Sequence, residues 1–337
     1  MATLATNTPE IAATQPATAS VTGLHPRIRR WLFVTGAPRS ATTFVGQVLS
    51  TGPRVDYLHE PFNPDCGIAG VDQPFLYLES GDARERQLRP AVERLLRFRE
   101  PLRTGYYPED GWARRAIKRV VGSRGPFNLR IARLNPLSDT AVIKDPIGCL
   151  LADYLLQSFG IRPIIIVRNP LGFVASMRRV NWEPALAPLL AQERLAVRYY
   201  RDEDLAAIER YAGGNVIQRT ALLWRLVYRV LLEMAAKDSR MLVCRHEDLS
   251  AAPLPQFARI FEHAGLACTP AVQRRIRRLT SGGHVEAPPR RVHEFRRDSA
   301  AIHTYARRAL GAGDIAQIAE ITAAVAVLQY APAEFGA

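Results

Sequence analysis

Arg30-Trp31-Leu32-Phe33-Val34-Thr35-Gly36-Ala37-Pro38-Arg39-Ser40-Ala41-Thr42-Thr43-Phe44 is the stretch whose reading settles the fold class. Its first six residues form a short apolar run behind a basic stretch, and Gly36 to Ser40 break it. From Thr42 to Ser50 the apolar residues Phe44, Val45, Val48 and Leu49 recur at helical spacing. The pattern is strand, loop, helix. At such a crossing the helix start offers N–H groups and the positive end of its dipole, which suits an oxyanion. Ser40, Thr42 and Thr43 add hydroxyls, and Arg39 adds a guanidinium able to grip phosphate or sulfate through two hydrogen bonds. An ordinary helix cap needs only one of these groups. The nucleoside triphosphatase loop, G-x-x-x-x-G-K-[ST], is not met, because Ala41 and Thr42 stand where its Gly and Lys belong. That disfavours a kinase.

Outward from this stretch, Val55-Asp56-Tyr57-Leu58 reads as a second strand running into His59-Glu60-Pro61-Phe62-Asn63-Pro64, a loop shaped by two prolines. Residues from about Asp82 to Glu100 read as a helix, whereas 101–136 is basic and shows no regular period. Ala141-Val142-Ile143 is a third strand ending at Lys144-Asp145-Pro146, with a helix over 149–159. Ile164-Ile165-Ile166-Val167 is uniformly apolar, as a central parallel strand covered on both faces must be. Arg168-Asn169-Pro170 stops it, and the helix from Leu171 to Arg179 carries Ser176, eight residues beyond Arg168. If that helix folds back, both side chains reach one phosphate beside the first loop. Helical patterns cover about 184–211 and 216–236. A last strand, Met241 to Cys244, leads into His246-Glu247-Asp248-Leu249. Leu254 to Ala264 is an amphipathic helix closed by Gly265, and two short helices are expected after Ser299 and after Asp314. Strands alternating with helices indicate an α/β domain whose parallel sheet has helices on both faces and ligands at the strands' carboxyl ends.

The 337 residues are 47% hydrophobic, enough for a core that needs no staple. Residues 1–25 read as a disordered tail rich in Ala, Thr and Pro, without the basic and apolar regions of a secretory signal. Residues 26–337 read as a single domain. Four cysteines without a CxxC pair suggest reduced thiols and a cytoplasmic protein, and no apolar run is long enough to span a bilayer. Contact with a membrane face stays open. The net charge is +13, carried almost wholly by arginine, since only Lys118, Lys144 and Lys237 are lysines. Such charge fits nucleotides, anionic lipids or glycans, or nucleic acid. A basic nucleic-acid-binding protein would leave two ordered anion motifs unexplained, and no nucleic-acid module is visible.

These motifs resemble the sulfotransferase family that uses 3′-phosphoadenosine 5′-phosphosulfate (PAPS). Gly36 to Thr43 is similar to its 5′-phosphosulfate loop, and Val167-Arg168-Asn169-Pro170 with Ser176 is similar to its 3′-phosphate site. The similarity runs from about Trp31 to Leu266. It implies a P-loop-like three-layer fold, PAPS as donor with 3′-phosphoadenosine 5′-phosphate (PAP) as product, a hydroxyl-bearing acceptor, and no metal. Position by position, Gly36, Pro38 and Ala41 belong to the donor loop. Arg39 meets the bridging region of the phosphosulfate, and Ser40, Thr42 and Thr43 bind the 5′-phosphate with backbone amides. Phe44, where relatives often carry Trp, is a candidate to stack on adenine, with core packing as the other reading. Arg168 and Ser176 hold the 3′-phosphate. Ala41 replaces the usual Gly; at positive φ it would cost on the order of 1 kcal/mol, and in a right-handed conformation nothing. The Gly-rich C-terminal lid of the animal cytosolic branch is missing, and Arg290, Arg291, Arg296 and Arg297 occupy that region. His246-Glu247-Asp248-Leu249 is taken as structural.

The chemistry implied is an in-line displacement in which Arg39 and Lys144 neutralise charge on the bridging oxygen. The animal cytosolic branch places a catalytic His two residues past a comparable Lys, and this chain has Pro146 there. Branches acting on carbohydrates and on protein tyrosines place a carboxylate where this chain has Glu60, so Glu60 is the expected general base and His59 its rival. The expected acceptor is a saccharide, glycolipid or polysaccharide precursor, with a protein tyrosine or a small metabolite as alternatives. Residues 82–136 are a candidate acceptor-side insertion.

Overall fold

In the first crossing the apolar side chains of one strand part to opposite sides. Leu32 and Val34 join one core layer and Phe33 the other, all fully buried. The strand is β1 (Arg30–Thr35) of a computed structural model that describes residues 24–106, 110–280 and 306–336. It is followed by α1 (Thr42–Leu49), β2 (Val55–His59), α2 (Ala83–Leu96), α3 (Trp112–Val121), α4 (Arg124–Leu134) and β3 (Thr140–Lys144). Next come α5 (Ala152–Phe159), β4 (Arg162–Val167), α6 (Pro170–Arg179), α7 (Ala187–Leu190), α8 (Glu193–Tyr199), α9 (Asp202–Tyr211) and α10 (Val216–Lys237). The order closes with β5 (Leu242–Arg245), α11 (His246–Ala251), α12 (Pro253–Ala264), α13 (Pro270–Thr280), α14 (Ala312–Ala326) and α15 (Pro332–Phe335).

The five strands form one all-parallel sheet in the order β2-β3-β1-β4-β5. Helices α1, α12 and α13 pack Val45, Val48, Phe257, Ile260 and Ile276 on one face. On the other face α10 lays Trp224, Leu226, Val227 and Tyr228 against the sheet, with α5 and α6 beside it. This is the expected three-layer, P-loop-like fold. The 22-residue α10 can run this far because Asn215 and Gln218 cap it reciprocally and nearly every side chain from Thr220 to Leu232 is buried.

Several boundaries differ from the sequence reading. The stretch 101–136 contains two helices. In α4, Gly125, Leu129 and Ala132 face inward while Phe127 and Ile131 point to solvent, so apolar residues on both sides erase the period. The span 184–211 is three short helices, and α13, which buries only Val272 and Ile276, was not foreseen. The last long helix has 15 residues. Of the tail, residues 1–23 lie outside the described residues. Leu24 already packs on the core, and His25 donates its amide to the Leu96 carbonyl at 3.1 Å. The helix expected after Ser299 begins outside the described residues, as do Arg290, Arg291, Arg296 and Arg297. All four cysteines are free thiols. Among the described residues no helix is long and apolar enough to cross a membrane.

Candidate active site

Parallel strands bring their carboxyl ends to one edge of the sheet, where Val34 and His59 flank Lys144 in register. The loop after β1 crosses the end of β4. Gly36 has φ 140°, and a Cβ there would lie 2.2 Å from the Ile166 carbonyl oxygen, so only glycine fits. Arg39 and Ala41 follow in the left-handed region, at φ 68° and 65°. The Ala41 question is thereby answered: the residue carries the backbone cost of a missing glycine. Tyr228 of α10 holds the loop from below. Its hydroxyl donates to the Ile166 carbonyl at 2.9 Å, accepts the Ala37 amide at 3.2 Å and meets Ser40 Oγ at 2.8 Å. The single phenolic proton goes to Ile166, so Ser40 Oγ is the donor to Tyr228. The Ser40 hydroxyl thus maintains the loop's shape, although its residue type had suggested a contact to an anion.

Ala41 is the N-cap of helix α1 and offers no side-chain cap, and the helix has no acidic residue in its first turn. Such an uncapped start, with Thr42 and Thr43 next in line, fits a bound anion. Phe44 is half-buried and stands edge-on to Phe257, with ring centroids 5.3 Å apart. Pro38 lies within the loop, between Ala37 and Arg39.

The second crossing meets the first. Arg168 Nη1 donates to the Arg39 carbonyl at 2.6 Å, and Arg39 Nε donates to Ser176 Oγ at 3.3 Å. Arg39, Arg168 and Ser176 therefore belong to one site, with positive charge concentrated between the two loops. Gly172 leaves room for the Arg168 side chain, whose Nε lies 3.1 Å from where a Cβ would sit. Asn169 caps α6 by accepting the Leu171 amide at 3.0 Å. The Asn169 amide in turn donates to Glu247 Oε1 at 3.0 Å, and Tyr330 donates to Glu247 Oε2 at 2.8 Å. Burial pushes the Glu247 carboxyl upward, but His246, the Asn169 amide and Tyr330 outweigh it and hold it at about 2.

The third group lies on the other side of the first loop. The Glu60 amide donates to the Lys144 carbonyl at 2.8 Å, and the Lys144 ammonium pairs with Glu60 Oε1. Asn63 Nδ2 donates to Glu60 Oε2 at 2.8 Å, and His59 Nε2 lies 3.9 Å from Oε1. Burial raises the affinity of Glu60 for a proton, yet the Lys144 charge, His59 and the two hydrogen bonds hold its carboxyl well below the usual range. Gly46 lets α1 lie against the Lys144 stem, 3.3 Å from its own absent Cβ. Asp145 orders the loop beyond Glu60, accepting the amides of Phe62 at 2.6 Å and of Ile147 and Gly148 at 2.9 Å. Its full burial and the Glu60 charge push it up to about 7, against the pull of the amides of Gly148 and Phe62.

A model of the Sulfotransferase family matches residues 32–270, which covers both anion loops and the Glu60–Lys144 pair. The chain belongs to the sulfotransferase family. It is a PAPS-dependent sulfotransferase, and the family implies PAP as the product. No curated protein matches the sequence. Solved structures similar to it include the sulfotransferase domain from the curacin biosynthetic pathway, 14% identical over 83% of this chain and 95% of that one, with a TM-score of 0.41. The sulfotransferase domain from the Synechococcus PCC 7002 olefin synthase is 16% identical over 91% and 97%, with a TM-score of 0.43. Mouse sulfotransferase SULT7A1 complexed with PAP is 14% identical over 94% and 90%, with a TM-score of 0.41.

Three residues of this sulfotransferase escaped the sequence reading. Tyr228 sits in an apolar helix like any core aromatic, and Glu247 was read as part of a structural turn. Asp145 stands in sequence as no more than a strand end. Each is buried, and each answers a backbone amide of a distant loop, which no local pattern announces.

Proposed function

We propose that this sulfotransferase sulfates a saccharide or glycolipid hydroxyl, with Glu60 as general base and Lys144 and Arg39 as the electrostatic stabilisers. The observation that carries this reading is the Glu60–Lys144 pair, a carboxylate and an ammonium held together beside the donor loop. The uncapped start of α1 and the Arg39–Arg168–Ser176 cluster fit the two phosphate-bearing ends of PAPS, and half-buried Phe44, two residues into α1, is the candidate to stack on the adenine. When bound, the donor supplies an activated sulfuryl group.

Glu60 takes the proton of the attacking hydroxyl as the new O–S bond forms. Lys144 and Arg39 meet the negative charge that builds on the bridging oxygen as the old S–O bond breaks. The two roles are coupled through Lys144. While its charge rests on Glu60 the carboxylate is a weak base; as the ammonium turns to the departing oxygen, Glu60 regains proton affinity. His59, 3.9 Å from Glu60, tunes that carboxylate. A carboxylate at this strand end is the feature shared with the branches acting on carbohydrates and on protein tyrosines, so it supports Glu60 as base in either, and the acceptor panel below separates the two.

The test is turnover of Glu60→Gln with ³⁵S-labelled donor across saccharide, glycolipid, tyrosyl-peptide and small-metabolite acceptors. The variant is expected to lose roughly 10²–10⁴-fold in kcat while PAP affinity stays near that of the parent. Near-normal turnover in Glu60→Gln, together with an inactive His59→Ala, would transfer the base to His59.

A further inference from the structure

Helix α3 is built inside out. Its apolar residues Trp112, Ile117 and Val120 are 85%, 63% and 76% exposed, whereas Lys118 on the opposite side is buried. The Lys118 ammonium donates to the Gly105 carbonyl and pairs with Asp110, so the basic side anchors the helix and the apolar side is presented to solvent. Helix α4 continues the pattern with Phe127, Ile131 and Leu134, the last 79% exposed, and Arg130 reaches back to the Val121 carbonyl at 3.0 Å. Between 110 and 137 the sequence has seven basic residues and a single acidic one, Asp110, which is buried. Apolar side chains flanked by exposed arginines, with an exposed Trp, are the signature of a helix that lies in a lipid interface.

We propose that the α3–α4 face docks on an anionic lipid bilayer. A second copy of the chain would set this basic segment against itself, and a nucleic acid would leave the aliphatic side chains without a partner. The orientation matters for the chemistry. Helix α4 runs along β2, with Asn135 bonded to Asp56 at one end and Gly125 at the other, where an added Cβ would lie 3.2 Å from the His59 carbonyl oxygen. The docked face therefore borders the Glu60 end of the site, and the acceptor is lipid-borne. That last step rests on the Glu60 reading; the docking does not.

The experiment is co-sedimentation of the full chain with vesicles of phosphatidylcholine alone and of phosphatidylcholine mixed with phosphatidylglycerol. The chain is expected to sediment with the anionic vesicles only, and to be released by high salt. Ile117→Ser with Val120→Ser keeps every charge and should weaken vesicle binding by about tenfold or more. Arg119→Gln with Arg133→Gln should weaken it by roughly thirtyfold. PAP binding and thermal unfolding of both variants are expected to match the parent, so failure here is separable from failure of the Glu60 site. The proposal is overturned if anionic vesicles do not bind the chain at low salt, or if the serine variant binds them like the parent. It is likewise overturned if the face proves to be covered by a second copy, a nucleic acid or an acidic protein while vesicles leave it untouched.

Discussion

The two crossings that meet through Arg39, Arg168 and Ser176 are held in opposite ways. The loop after β1 is strained: Gly36, Arg39 and Ala41 all have positive φ, and a phenol from α10 clamps the loop from outside. The turn after β4 is relaxed, capped by its own Asn169 and Pro170, with one distant carboxylate on the Asn169 amide. Among the described residues six non-glycine positions have positive φ, and Arg39, Ala41 and Glu60 make up half of them. Strain thus gathers at the candidate site, as expected of sites whose geometry is imposed by their surroundings. The first loop is a shape enforced from afar, and the second is largely written in its own residues.

Substitutions can break this contrast. Gly36→Ala should hurt most, because its new Cβ meets the Ile166 carbonyl at 2.2 Å; a loss of about 3–4 kcal/mol and of PAP binding is expected in thermal melts and titrations. A melting temperature near that of the parent would mean the loop does not lie on β4. Arg168→Ala should cost about 1.5–3 kcal/mol, chiefly as a raised donor KM, since a charge-assisted contact is lost. An unchanged donor KM removes Arg168 from the site.

Glu247→Gln probes the relaxed turn, with an expected loss of about 1.5–3 kcal/mol at neutral pH. The folded carboxyl is depressed from 4.5 to about 2. Its contribution is therefore complete above pH 4.5 and disappears as the pH falls toward 2. Unfolding curves of parent and variant should converge over that window, and a gap independent of pH would show that the charge is not what matters. Ala41→Gly should be the smallest effect and of opposite sign, a gain of about 1 kcal/mol from relieving the left-handed alanine. Destabilisation by that change would mean Ala41 is not strained.

The same contrast explains what could be read from sequence. Strand ends, the two loops and the residues Arg39, Lys144 and Arg168 are legible because each lies in a local pattern of apolar run, breaker and helix start, and Ser176 is reached by its eight-residue interval from Arg168. The approach of Arg39 to Arg168 and Ser176 follows from sheet order, in which β1 and β4 are neighbours. What stayed hidden was non-local. Nothing near Ala37 or Ser40 announces Tyr228, and nothing near Asn169 announces Glu247. The 101–136 stretch was opaque for a different reason: α3 turns its apolar side to water, and a reader of periodicity expects it to turn inward.

The Tyr228 hydroxyl has a consequence for biosynthesis. The donor loop is specified within the first 44 residues, yet the group that props it open arrives 184 positions after Phe44, on a helix made late. A nascent chain lacking α10 would carry the nucleotide motif without its working form, so capture of the cosubstrate should begin only when the sheet's far layer has closed over it.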